Sequence, residues 1–177
     1  MNTGFTFRKA KAADADRIWE ILLQAKAMMK REGRMQWDEN YPTRELVDED
    51  IKKGIGYVLC DNTENTSTVI AYGAVVFDGE QVYDTIEGEW LSHDKYVVLH
   101  RLAVADEAKG KGISGRYLLE VENLALENGI HSFKCDTRED NSYMLKSFRK
   151  FGFIPCGTVY YGKGSRLAFE KLLEKDS

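Results

Sequence analysis

Two prolines, three cysteines and three histidines in 177 residues leave several architectures without material. Pro42 and Pro155 stand far apart, and no Pro-, Gly- or Ser-rich tract divides the chain, which excludes a linker, a low-complexity segment or a repeat array. Cys60, Cys135 and Cys156 are odd in number and lack CxxC spacing, so there is no disulfide framework. Each lies in an apolar, strand-like context, the setting of a buried free thiol in a reducing compartment. No apolar run at the N-terminus resembles a signal peptide and no window approaches a membrane span; a cytoplasmic protein without membrane contact is expected. Nor is there an excess of basic residues: 25 Lys and Arg against 29 Asp and Glu give a net charge of −4. Nucleic-acid binding driven by phosphate neutralisation is therefore disfavoured.

What is present is ordinary globular material, 43% hydrophobic and 31% charged, enough for one domain over residues 1–177 with a sizeable core. Residues 5–8 predict a strand. Residues 12–30 predict a helix, with Ile18, Ile21, Leu22, Ala25, Met28 and Met29 at helical spacing. A second helix is expected over 43–53, ended by Gly54, and strands over 56–61 and 68–77. Residues 78–95 read as a polar connection, and 96–104 as a strongly β-forming central strand. Helix 113–127, strand 131–136, a short helix 142–151 capped by Asn141 or Ser142, and a closing hairpin (155–161 and 165–172, turned at 162–164) complete the order. The predicted fold class is α/β (α+β), with a mixed, mostly antiparallel central sheet flanked by helices.

The stretch VVLHRLAVADEAKGKGISGRYLLEVENLAL, residues 97–126, is the most informative. A buried strand runs into a basic, glycine-rich loop that opens a helix. Lys109, Gly110, Lys111, Gly112, Ile113 and Ser114 suit a pyrophosphate: the glycines allow close backbone approach and positive φ, the lysines add charge, and the helix N-terminus offers unpaired N–H groups. A P-loop is absent, because no GxxxxGK is followed by Ser or Thr. Gly110-x-Gly112-x-x-Gly115 is not followed by the further parallel strands of a dinucleotide fold.

The loop has company. Leu102-Ala103-Val104, then Lys109-x-x-Gly112-x-Ser114, then a helix, resembles the central motif of the GNAT N-acetyltransferases, which use acetyl-CoA. Asn141, a short helix and Phe148-Arg149-Lys150-Phe151-Gly152-Phe153 resemble their second motif, and the element order matches over residues 5–172. Lys109 replaces the usual Arg or Gln, Ser114 the usual Gly or Ala, and Phe148 a tyrosine that protonates the leaving thiolate in many members. The resemblance implies that Leu102, Ala103 and Val104 hold the pantetheine arm like an added strand. It implies further that residues 109–114 hold the pyrophosphate, that Asn141 bonds the pantetheine region, and that Phe148 packs beside the thioester. No metal is implied.

Acetyl transfer to an amine needs a base, an oxyanion donor and a proton for the thiolate. His100 is the first candidate base: alternation puts it on the face of Leu102, and histidine titrates near neutrality. A structural, hydrogen-bonded histidine is the competing role. Glu87 and Glu89 are alternative bases. The Val104 N–H serves as oxyanion donor in the resembled family. Tyr143, Tyr160 and Tyr161 are candidate acids in place of Phe148, with Tyr160 placed first. Arg101 is expected in a structural ion pair, and Asp136 either orients a catalytic group or caps a strand.

Residues 34–41 and 84–90 are the segments least explained by core packing, and in the resembled fold they wall the acceptor site. Trp37, Tyr41 and Trp90 frame an apolar or cationic group, and Asp38, Glu39, Asp84, Glu87 and Glu89 favour a cationic amine. The reading is an acetyl-CoA-dependent N-acetyltransferase acting on a small-molecule or peptide amine by direct attack in a ternary complex. A non-catalytic CoA-binding regulatory module is the alternative, kept open by Phe148. A homodimer is expected from the edge strands.

Overall fold

Runs rich in Val, Ile, Tyr and Phe build eight strands among the described residues of the computed structural model, which are 4–34, 36–162 and 164–174. In chain order they are β1 (Phe5–Lys9), β2 (Gly56–Asp61), β3 (Thr68–Val76), β4 (Glu87–Gly88), β5 (Val97–Val104), β6 (Ser132–Thr137), β7 (Ile154–Tyr161) and β8 (Gly164–Leu172). Four α-helices intervene: α1 (Ala15–Arg31), α2 (Arg44–Lys53), α3 (Ile113–Glu127) and α4 (Ser142–Lys150). The sheet is mixed, in the order β1-β2-β3-β5-β6-β8-β7-β4. Of the registered pairs only β5 with β6 is parallel. This is the expected α/β class with a mostly antiparallel sheet.

Local chemistry explains the element ends. The Thr43 hydroxyl accepts from the Leu46 N–H at 3.1 Å to start α2, and Gly54 ends it at φ 72°. The first helix begins three residues later than the apolar spacing predicts. Residues 12–14 form a 3₁₀ turn, because the Asp14 carboxylate accepts from the Lys11 N–H at 2.7 Å and pairs with Arg8. The expected connection 78–95 contains a 3₁₀ turn over Gln81–Thr85 and the short strand β4, which pairs with β7. Two glycines permit this pairing: a Cβ on Gly88 would lie 2.2 Å from the Cys156 carbonyl oxygen, and one on Gly157 would lie 2.3 Å from that of Glu87. A two-residue strand carries no alternation, so the pattern could not announce it. Met35, in the irregular segment, and Lys163, in the expected hairpin turn, lie outside the described residues.

The described chain forms two compact units, residues 4–75 with 100–118, and residues 76–99 with 119–174. In the first, Ile18, Ile21 and Leu22 of α1, Val47 of α2, and Val58 and Leu59 of β2 are buried. Phe7 stacks on Tyr57 with ring centres 5.2 Å apart. In the second, Tyr83, Trp90, Val98, Val159 and Ala168 form one apolar cluster. Phe148 packs on Phe153 and Phe169 at 5.3 and 5.2 Å. Each such large side chain, fully buried, stabilises the fold by about 1.5–3 kcal/mol. Cys60 and Cys135 are buried free thiols and Cys156 is half-buried. No helix of the described residues is long and apolar enough to cross a membrane.

Candidate functional site

In the first unit the site candidates sit on the second half of β5 and the loop behind it. The parallel ladder with β6 joins only Val97 to Phe133 and Val98 to Lys134. Leu102 and Val104 thus have no ladder partner on the β6 side. After Val104 the chain makes a 3₁₀ turn over Asp106–Ala108 and enters the glycine loop. Gly110 and Gly112 take φ of 77° and 73°, and nothing lies within 4 Å of a Cβ built on either. The N–H groups of Ile113 and Ser114 belong to the first turn of α3, which has no i−4 carbonyls to bond. Ser114 is buried. Lys109 Nζ donates to Asp106 at 2.6 Å and lies 3.0 Å from the Met28 sulfur. The loop thus offers what an anionic pyrophosphate needs: open glycine backbone leading into a helix N-terminus.

Arg101 adopts φ 59°, a left-handed conformation inside a strand. A non-glycine residue there costs about 1–3 kcal/mol and persists only where its surroundings hold it. Arg101 donates to Asp50 through Nη2 at 2.7 Å and Nε at 3.2 Å, and through Nη1 to the Tyr41 hydroxyl at 3.1 Å. The Tyr72 hydroxyl donates to the same carboxylate. Asp50 is 2% exposed, so this is a buried network. Burial opposes the Arg101 charge, but Tyr41 and Asp50 outweigh it and raise the guanidinium pKa. Burial, then the Asp50 charge, raises the Tyr72 phenol far above its ordinary range.

This corrects one expectation and refines two. The left-handed residue interrupts period-two alternation, so His100 cannot be assigned to the face of Leu102 by counting. The expected structural ion pair of Arg101 is present, with Asp50 as partner. Tyr41, expected as an acceptor wall, has its hydroxyl engaged by Arg101. Trp37 is buried at 8% exposure.

The second unit holds the remaining candidates. Trp90 donates its indole N–H to the Tyr83 carbonyl at 2.9 Å, which fixes the ring. Trp90 and Glu89 line a pocket of about 290 Å³ together with Asp84, Asp94, Tyr96 and Lys134. The cation that Trp90 faces is the chain's own: Lys134 Nζ lies 4.4 Å from the Trp90 ring centre and 4.1 Å from that of Tyr96. Burial lowers the Lys134 pKa.

Tyr160 is not a wall of this pocket. It is exposed, and its hydroxyl donates to Glu87, a hydrogen bond that raises its pKa. Asp136 accepts from the hydroxyls of Tyr83 at 2.6 Å and Tyr161 at 2.9 Å, so it organises two phenols rather than capping a strand. The Asn141 carbonyl oxygen accepts from the Met144 N–H at 3.2 Å, which makes Asn141, not Ser142, the cap of α4. Phe148 is 2% exposed within its aromatic cluster.

Asp50, Tyr72, Lys134 and Glu170 were not singled out by sequence. Lys134 and Asp136 alternate with Phe133 and Cys135, which reads as a solvated strand face, and Asp50 ends the acidic run DED; no local signal marks Lys134 or Asp50 as buried. Among the described residues no group of three or more His, Cys, Asp or Glu side chains is arranged to hold a metal ion.

The geometry can be set beside known proteins. No curated protein matches the sequence. A GNAT-family acetyltransferase of Streptococcus agalactiae 2603 is 32% identical, with 98% of each chain covered and a TM-score of 0.87. One from Listeria monocytogenes 4b F2365 is 20% identical, covering 96% of this chain and 95% of its own, at TM-score 0.75. The Salmonella typhimurium protein yncA, solved with its cofactor acetyl-CoA, shares the fold at 16% identity and TM-score 0.65, with 99% of this chain and 97% of its own covered. The acetyltransferase (GNAT) family model matches residues 17–153. With β5, the glycine loop and α3 inside the matched region, this chain belongs to the GNAT family of acetyltransferases.

Proposed function

We propose that this protein transfers the acetyl group of acetyl-CoA to a primary amine, by direct attack while both are bound. The observation that carries the reading is the loop of residues 109–114: two open, left-handed glycines that lead into the first turn of a helix, following a strand whose ladder ends early. Acetyl-CoA supplies an activated thioester. Gly110, Lys111, Gly112, Ile113 and Ser114 bind its pyrophosphate through backbone N–H groups, with Lys109 adding charge. The backbone of Leu102, Ala103 and Val104 receives the pantetheine arm as a strand would be received. The Asn141 side-chain amide, with its oxygen given to the helix cap, keeps its N–H donors for the same arm. Phe148 is the apolar support near the thioester, and the Val104 N–H stabilises the developing oxyanion.

An alkyl ammonium is mostly protonated at neutral pH, so the acceptor must lose a proton first. His100 and Glu89 are the bases in this reading, and Tyr160 is the proton donor to the thiolate. Trp37, Tyr41 and Trp90 wall the acceptor. The unpaired thiols of Cys60, Cys135 and Cys156 support a reducing, cytoplasmic setting. A homodimer through the edge strands completes the reading, and its mass in solution tests that part.

The test is thermal unfolding with acetyl-CoA, CoA, ATP and NAD, each at about 1 mM, where a ligand of the folded state raises the midpoint. A shift with the two CoA species alone is expected, followed by amine-dependent release of free thiol. No shift with either CoA species overturns the reading. Binding without turnover across an amine panel replaces it with a CoA-binding module.

A further inference from the structure

The pocket of the second unit contains a lysine ammonium held by aromatic faces rather than by a direct carboxylate contact. Lys134 is 3% exposed. Its ammonium lies over Trp90 and Tyr96, and it makes no hydrogen bond or ion pair with a described residue. Glu170 stands directly opposite it in the β6–β8 register, the natural place for a buried counter-ion. That carboxylate is spent elsewhere. One oxygen accepts from the Leu91 and Ser92 N–H groups at 2.8 and 3.4 Å, and the other from the Ser92 and Ser132 hydroxyls at 2.6 and 2.8 Å. Four donors saturate it.

Among the described residues no buried side-chain nitrogen or oxygen lacks a hydrogen-bond partner, so this ammonium opens to the pocket, and the aromatic faces beside it supply attraction but no lone pairs for its three N–H donors. The ammonium lines a pocket of about 290 Å³, near the small end of ligand pockets, roughly 300–1,000 Å³. The other ionisable groups on the wall are the carboxylates of Asp84, Glu89 and Asp94 and the imidazole of His93. This pattern discriminates among ligands. A simple cationic amine finds the aromatic seat already filled by Lys134. A phosphate dianion meets three carboxylates around a single cation. A ligand with one carboxylate and one amine satisfies both halves.

We infer that this pocket binds a small amino-carboxylate, its carboxylate on Lys134 Nζ and its amine toward Asp84, Glu89 and Asp94. The acceptor is then an amino acid or a molecule with the same pair of groups. That last step rests on the acetyl-transfer reading above; the binding itself does not.

The experiment uses the full-length protein and matched probes: L-amino acids, their C-terminal amides and the corresponding decarboxylated amines. Dissociation constants are measured by calorimetry without acetyl-CoA, and thiol release is measured with it. The carboxylate form is expected to bind and react roughly ten- to a hundredfold better than its amide, the range of a charge-assisted hydrogen bond, and Lys134→Met abolishes that preference. Amides or decarboxylated amines that bind as well as the acids overturn the inference, as does a carboxylate preference that survives Lys134→Met. If that variant does not fold, the acid–amide comparison on the unaltered protein decides. Carboxylate-dependent binding in a protein that ignores acetyl-CoA leaves the pocket assignment and removes the acetyl-transfer reading. Thiol release indifferent to the carboxylate keeps the acetyl-transfer reading and overturns the assignment of its acceptor to this pocket.

Discussion

Glu170 and Lys134 face each other across β6 and β8, both buried, and are not bonded to each other. The carboxylate is instead the acceptor for two backbone N–H groups and two serine hydroxyls, and it fastens residues 91–92 to the sheet. Its role is to satisfy donors. Glu170→Ala leaves those donors buried without an acceptor and is expected to cost about 3 kcal/mol or more. Urea unfolding checks this; a loss under about 1 kcal/mol would show that water satisfies the donors equally well.

Lys134 carries a pH signature. Burial lowers its folded-state pKa, so between that value and the unfolded one the unfolded chain binds more protons. Its contribution therefore makes stability rise with pH through that alkaline interval, because the cost of the buried charge disappears as the folded state deprotonates. Lys134→Met removes this component. The stability advantage of the variant over the unaltered protein is expected to shrink as pH rises, measured as the difference between their urea midpoints. A difference flat with pH would contradict the burial assigned to this ammonium.

The Arg101 network predicts an asymmetric result. Asp50→Ala strands a guanidinium and a tyrosine hydroxyl, and removes what holds Arg101 in its left-handed conformation, at a cost of roughly 3–5 kcal/mol. Asp50→Asn keeps the shape and removes the charge that, after burial, does most to raise the Tyr72 phenol. Ultraviolet titration of that variant is expected to show Tyr72 ionising at lower pH, though still above an exposed tyrosine.

The glycine loop separates backbone cost from ligand binding. Gly112 has φ 73° and open space around its missing Cβ, so Gly112→Ala costs only the left-handed conformation, about 1–2 kcal/mol. Gly33, at φ 70° and equally open, lies outside the loop and is the control. Both alanine variants are expected to lose similar stability by thermal unfolding. Only Gly112→Ala is expected to raise the KM for acetyl-CoA, by about tenfold for a loss of ~1.4 kcal/mol. Equal effects on KM would separate the loop from the cofactor.

The element order was legible in the sequence because periodicity and end signals are local. The apolar spacing of Ile18, Ile21, Leu22 and Ala25, the cap at Thr43, Gly54 after α2, and the loop before Ile113 each act within a few residues. The strand β4 was not legible, because its reason is a close approach of Gly88 and Gly157, some seventy positions apart. The left-handed Arg101 was hidden for a similar reason: a strand pattern announces alternation, and the interruption is held by Asp50 from helix α2.

By itself the sequence determined the α/β class, the order of elements, the loop chemistry suited to a pyrophosphate and the resemblance to the GNAT acetyltransferases. All of these follow from neighbours along the chain. The tertiary structure alone decided which charges are buried and what each one meets. Asp50, Lys134 and Glu170 occupy positions that a sequence reads as solvated, because burial depends on elements packed from far along the chain. Trp90 had the look of a frame for a ligand's cation; folding placed Lys134 over it, since a strand brought beside it presents that ammonium at 4.4 Å.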